Sequence, residues 1–146
     1  MHEISREVAE QQLELLFDYY EIELEKRLKS DDAEKAQAIA ENIRDILIRN
    51  IMKGRLEITV DEETMQGGIK MVQRLRRPVG GVAEIQYHEV TGKARTAIRD
   101  VEKGSPHHKI YHLLAAISRQ PVAVFLGMGG VDLTCAETLS TVFSLV

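Results

Sequence analysis

Apolar residues recur at helical spacing from residue 3 to residue 29 with no proline or glycine between them, which predicts one long helix. At about 100° per residue, Ile4, Val8, Leu15, Tyr19 and Ile22 fall along one face, and Leu13, Phe17, Tyr20, Leu24 and Leu28 along the opposite one. Glu3, Glu7, Glu14, Asp18, Glu21 and Glu25 gather on an edge between them, as a solvated strip between two contact surfaces would. Lys29-Ser30 closes this helix. Asp31 opens a second, with Glu34 at capping-box spacing, and it runs to about Lys53, where Gly54 supplies a left-handed stop. Its apolar residues, Ala33, Ala36, Ile39, Ala40, Ile43, Ile46, Leu47 and Ile51, share one side, so this helix needs a single partner.

The first helix needs two. If the second helix covers one face, the other meets either the C-terminal half of the same chain or a second copy. Five large side chains, each worth about 1.5–3 kcal/mol on removal from water, are too many to leave wet. Leu13, Phe17, Tyr20, Leu24 and Leu28 are therefore the candidate partner or homodimer interface.

From Arg55 the period changes to two. Leu56, Ile58 and Val60 alternate with Arg55, Glu57 and Thr59, predicting a half-buried strand. Asp61 to Gly68 reads as loop, Ile69 to Arg77 as a second strand and Val82 to His88 as a third, joined through Pro78-Val79-Gly80-Gly81. Thr91 then caps a helix carrying Ala94, Ala97, Ile98 and Val101, which Gly104 ends. Ser105-Pro106 starts another, burying Ile110, Leu113, Leu114 and Ile117. Pro121 begins a short turn of helix to Leu126, and Asp132 or Thr134 caps a last helix bearing Ala136, Leu139, Val142 and Phe143. The fold class is α+β: an N-terminal helical hairpin over 1–53, then a small antiparallel β-sheet and a C-terminal cluster of short helices over 54–146.

The chain's 146 residues suit one ordinary core, and 44% hydrophobic and 29% charged residues place it among globular proteins. Net charge runs −6 over residues 1–50, +2 over 51–104 and 0 over 105–146, so the almost uncharged tail is expected to be buried or covered by a partner. An overall −4, with Tyr87 the only aromatic residue of the middle third, argues against nucleic acid. The longest stretch without a formal charge, Gln120 to Val131, is too short to span a bilayer, and the charged start is unlike a secretory signal. A cytoplasmic protein is expected.

Chemistry-bearing patterns are sparse. Cys135 is the only cysteine and reads as a small buried hydrophobe. His108 and His112 stand four apart with His107 beside them, but no carboxylate lies near in sequence to complete a metal set. Thr91-Gly92-Lys93 resembles the end of a phosphate loop, yet Tyr87 occupies the place of its first glycine and Ala94 that of the final hydroxyl. Arg74, Arg76 and Arg77, close to Lys70, form the one dense basic patch, suited to phosphate, an acidic partner or the acidic edge of the first helix. No catalytic residue, cofactor or metal is expected. An enzyme would require His88, His107, His108 or His112 to converge with carboxylates in a pocket.

Taken in order, Ile69 to Val146 resembles the small tail assembly chaperones of long-tailed phages and prophages, particularly the Mu-like type. The resemblance rests on a strand ending in Arg77-Pro78, a glycine reversal and the strand Val82-Ala83-Glu84-Ile85-Gln86-Tyr87. It continues through Glu89-Val90-Thr91-Gly92-Lys93 opening a helix, Leu113-Leu114-Ala115-Ala116-Ile117 leading to Pro121, and a final helix from Asp132 to Phe143. Val90 stands where that family often has proline and Ala94 where it often has aspartate, and residues 1–66 have no counterpart in its short members. The resemblance implies a non-enzymatic chaperone or adaptor that binds the helical tape-measure protein. The alternatives are a homo-oligomeric prophage structural or interaction module and, third, a small hydrolase or metal-dependent enzyme.

Overall fold

The Ser5 hydroxyl accepts the Val8 N–H at 3.3 Å and opens α1 (Arg6–Tyr19), which ends well before the predicted residue 29. In the computed structural model, which describes residues 3–28, 32–60, 68–99 and 106–146, Glu21 adopts a left-handed backbone at φ 53°. The Ile22 N–H then reaches the Phe17 carbonyl at 2.9 Å and the Glu21 N–H reaches that of Asp18 at 3.1 Å, the paired bonds of a glycine-type helix stop. A side chain in that conformation costs about 1–2 kcal/mol. The turn buries Ile22 and Leu24, each worth about 1.5–3 kcal/mol, and so offsets the strain. The single turn α2 (Leu24–Arg27) follows, tied to the next helix by the Arg44–Glu25 ion pair. Lys29, Ser30 and Asp31, expected at the helix junction, lie outside the described residues.

The Asp32 carboxylate accepts the Glu34 N–H at 2.9 Å to open α3 (Ala33–Met52), and Gly54, at φ 73°, turns the chain beyond its end. Contrary to the expectation of a single partner, α3 packs against α1, α2 and the first strand, and also against the last helix. Ile48 and Asn50, outside the predicted apolar stripe, are buried with it. The two helices thus exchange roles, because α3 is the central one.

Three strands, β1 (Leu56–Val60), β2 (Ile69–Val79) and β3 (Val82–Tyr87), form an antiparallel meander in sequence order. Ile58 faces Met71 and Gln73 faces Ile85, so the strands share one inward side. Gly80 and Gly81, at φ 54° and 83°, make the two-residue turn between Val79 and Val82, where consecutive left-handed residues match strand twist. Of the expected loop, residues 61–67 lie outside the described residues.

Four helices complete the chain: α4 (Gly92–Arg99), α5 (Pro106–Ser118), α6 (Val122–Leu126) and α7 (Gly130–Ser144). The Thr91 hydroxyl accepts the Ala94 N–H at 3.3 Å, as an N-cap should. Val101, Gly104 and Ser105 lie outside the described residues. The fold is α+β, as the sequence pattern implies. The boundary expected near residue 53 separates no cores, for Leu13, Phe17 and Leu47 belong to the same buried cluster as Leu56, Met71, Leu139 and Phe143. Among the described residues no helix is long and apolar enough to cross a membrane.

Candidate functional site

The face of α1 expected to meet a partner belongs to the interior. Leu13, Phe17 and Leu24 are buried, and Leu28 and Tyr20 are partly buried against the same cluster. The Tyr20 hydroxyl accepts the Val90 N–H at 3.0 Å, and neighbouring Tyr19 donates to Glu89 at 2.6 Å, so both rings bind the end of α1 to the segment after β3. Bonding to the Glu89 carboxylate pushes the Tyr19 phenol up to about 12. The reason is the stop at Glu21, which turns Leu24 back under α3. These five residues close the chain's own core, and an interface must be sought elsewhere.

The arginine patch also divides. Arg74 lies on the outer side of β2, 2.9 Å from Glu57 and 3.2 Å from Glu84 on the flanking strands, so it is neutralised within the sheet and not by the acidic edge of α1. Arg76 and Arg77 are exposed farther along, and it is their backbone that is held: their N–H groups donate to the two Asp132 oxygens at 2.9 and 3.1 Å. Asp132 therefore does not cap α7, contrary to expectation. That helix begins at Gly130, after Gly129, and its buried aspartate braces the end of β2. The Asp132 carbonyl accepts from Gln73 at 2.9 Å, and Gln73 in turn accepts the Tyr87 hydroxyl at 2.6 Å. The signal that could have found this bracket is an aspartate in an almost uncharged tail whose one other acid is Glu137.

Cys135 is buried, and loss of hydration pushes its thiol up to about 12, which keeps it protonated and unreactive. Among the described residues no group of three or more histidine, cysteine or acidic side chains is placed to hold a metal ion. The side chains of His107 and His108 lie outside those described, while His88 and His112 are partly buried on different elements.

Besides a hollow of about 390 Å³ between α1 and α3 and one of about 500 Å³ at Arg76, Arg77 and Asp132, three concavities stand out. The outer side of the sheet floors a hollow of about 540 Å³, lined by Glu57, Lys70, Arg74, Glu84 and His88 and walled by Ser118–Gln120. His88 and Arg119 also line a second hollow of about 440 Å³, whose other walls include Lys93, Ala94, Ala116 and Ile117. The His88 N–H donates to the Ile117 carbonyl at 3.0 Å, fastening the strand exit to the end of α5. Arg119 follows at φ 58°, the only non-glycine residue besides Glu21 with a left-handed backbone among those described. Strand alternation already places Lys70, Arg74, Glu84 and His88 on one side of the sheet, but nothing in the sequence marks Arg119 as their neighbour.

The third is an open groove of about 290 Å³ between α3 and α7, with Ile39, Ile43 and Ile46 on one wall and Thr134, Thr138 and Thr141 on the other. Ile39 is 46% exposed, and Val8 and Leu15 on the outer face of α1 are 43% and 40% exposed. Apolar surface is thus left open on α3, on the face of α1 opposite Phe17 and at Leu126 of α6, which is 62% exposed. No family model, curated protein or solved structure matches this chain.

Proposed function

We propose that this chain is a non-enzymatic assembly chaperone of the phage-tail type, which holds a helical segment of a tape-measure protein in the cytoplasm of a bacterial host. The observation that carries the reading is the α3–α7 groove: one wall of isoleucines at helical spacing with Asn42 among them, an opposite wall of short threonines with Glu137, and Ile39 left nearly half exposed. An amphipathic helix laid into such a groove buries side chains at positions three and four apart, while threonines let its backbone approach. The layout resemblance over residues 69–146 supplies the class of partner.

Co-expression with the tape-measure protein of the same phage or prophage, followed by size exclusion with light scattering, tests the reading. A soluble complex is expected, and Ile39→Asp with Ile46→Asp should abolish it while far-ultraviolet circular dichroism stays unchanged. A tape-measure protein that remains insoluble beside a folded chain overturns the proposal. If that chain is a dimer which the same substitutions dissociate, the groove is a homo-oligomer seam instead.

A further inference from the structure

Every carboxylate lining the two hollows around His88 already has a donor within the chain. Glu57 and Glu84 share Arg74, and Glu89 accepts from Tyr19. The cations are not so employed. Lys70, Lys93 and Arg119 form no ion pair or side-chain hydrogen bond among the described residues, although they line the same space. In a chain of net charge −4 with acidic side chains in excess, three cations lining the space around one imidazole with no carboxylate partner among the described residues are not what solvation alone would assemble.

The backbone supports the same conclusion. Arg119 is strained at φ 58°, where glycine would be relaxed, and that conformation carries its side chain to the wall shared by both hollows. As at Glu21, where the turn buries Ile22 and Leu24, the turn at Arg119 serves the fold: the Gln120 N–H donates to the Ser118 hydroxyl at 3.3 Å and the chain goes on to bury Val124 and Phe125, while the Arg119 side chain itself stays exposed at the hollows. The two hollows differ in their walls. One is floored by the charged side of the sheet, and the other is backed by Ala94, Ala116 and Ile117.

We propose that the two adjacent hollows that share His88 and Arg119 are a binding site for a small organic oxyanion. Its charged end lies among Lys70, His88 and Arg119, and its apolar body rests on Ala94, Ala116 and Ile117. Volumes of about 540 and 440 Å³ are of the size that small-molecule sites occupy. Burial and the nearby Arg119 and Lys70 charges hold the His88 imidazole below its usual value, and an anion bound beside the ring would favour its protonation. The site lies on different elements from the α3–α7 groove and does not depend on what fills that groove.

Titration of the full chain at physiological ionic strength with phenyl phosphate, followed through the His88 ring resonances, tests the proposal. Saturable binding is expected, about tenfold tighter than inorganic phosphate because only the ester fills the apolar wall, with the His88 midpoint moving up on saturation. Burial, Arg119 after α5 and Lys70 on β2 set this midpoint, and Lys93 and Glu89, around the start of α4, line the same space. Arg119→Gly should weaken binding at least tenfold while raising the midpoint of thermal unfolding, since glycine relieves the backbone strain. Lys70→Gln, on an exposed strand position, should weaken binding without altering the fold. Absence of saturation, binding that survives both substitutions, or equal affinity for inorganic phosphate would each overturn the assignment.

Discussion

The two sides of the same three strands follow opposite physical rules. Inward, Leu56, Ile58, Met71, Ile85 and Tyr87 are buried against the helices, with the Tyr87 and Phe143 rings 5.8 Å apart. The polar groups there, Gln73 and the Tyr87 hydroxyl, are joined in a chain that ends on the Asp132 carbonyl. Outward, Glu57, Lys70, Arg74, Glu84 and His88 face an open hollow, and the ion pairs around Arg74 are partly exposed. Stability therefore resides on one side and adaptable charge on the other. A sheet covered on one side only can evolve a site on its open side with little cost to the fold.

That contrast can be broken most strongly from within. Phe143→Ala removes a fully enclosed ring and should cost about 3–5 kcal/mol, read as a lowered midpoint of urea unfolding. Asp132→Ala leaves the Arg76 and Arg77 N–H groups without their acceptor and should cost about 3 kcal/mol, with faster amide exchange confined to the end of β2. On the open side, Arg74→Ala removes two ion pairs yet should cost under about 1 kcal/mol, because both carboxylates regain water. A loss equal to that of Asp132→Ala would show the outer side to be structural as well.

The smallest effect is a dependence on pH. His88 is held below its ordinary 6.5, so the unfolded chain binds more protons as pH falls through 6.5 toward the lower folded value. Stability from this group is complete above 6.5 and declines through that interval, and His88→Gln should flatten the decline in a series of urea titrations. A neutral, stability-silent His88 would remove the electrostatic contrast between the two sides.

Much of the fold is legible in residue order, because periodicity reports which side of an element meets apolar neighbours. Leu56 and Ile58 alternate as a strand must, Gly80-Gly81 marks its turn, and Thr91 caps its helix. The end of α1 is not legible. Nothing local distinguishes Glu21 from the helical residues around it, and the strain there is tolerated only because the turn places Ile22 and Leu24 in the core. Which segment covers Leu13, Phe17 and Leu24 is not legible for the same reason. Two apolar faces on a helix show that both need partners, but not that the chain itself supplies one of them.

The candidate sites divide along the same line. Spacing along β2 and β3 puts Lys70 and His88 on a common side, as a period of two dictates, and the alanines and isoleucines of α3 announce a contact surface. What spacing does not carry is distance between elements. Asp132 brackets β2 from 55 and 56 residues away, and Arg119 comes to His88 only because the end of α5 is bonded to the strand exit. The sequence by itself determined the elements, their inward sides and the α+β class, because those depend on interactions within a few residues. Only the tertiary structure decided which helix is central, which apolar surface stays open and which charged side chains meet around His88, because those depend on packing between distant segments.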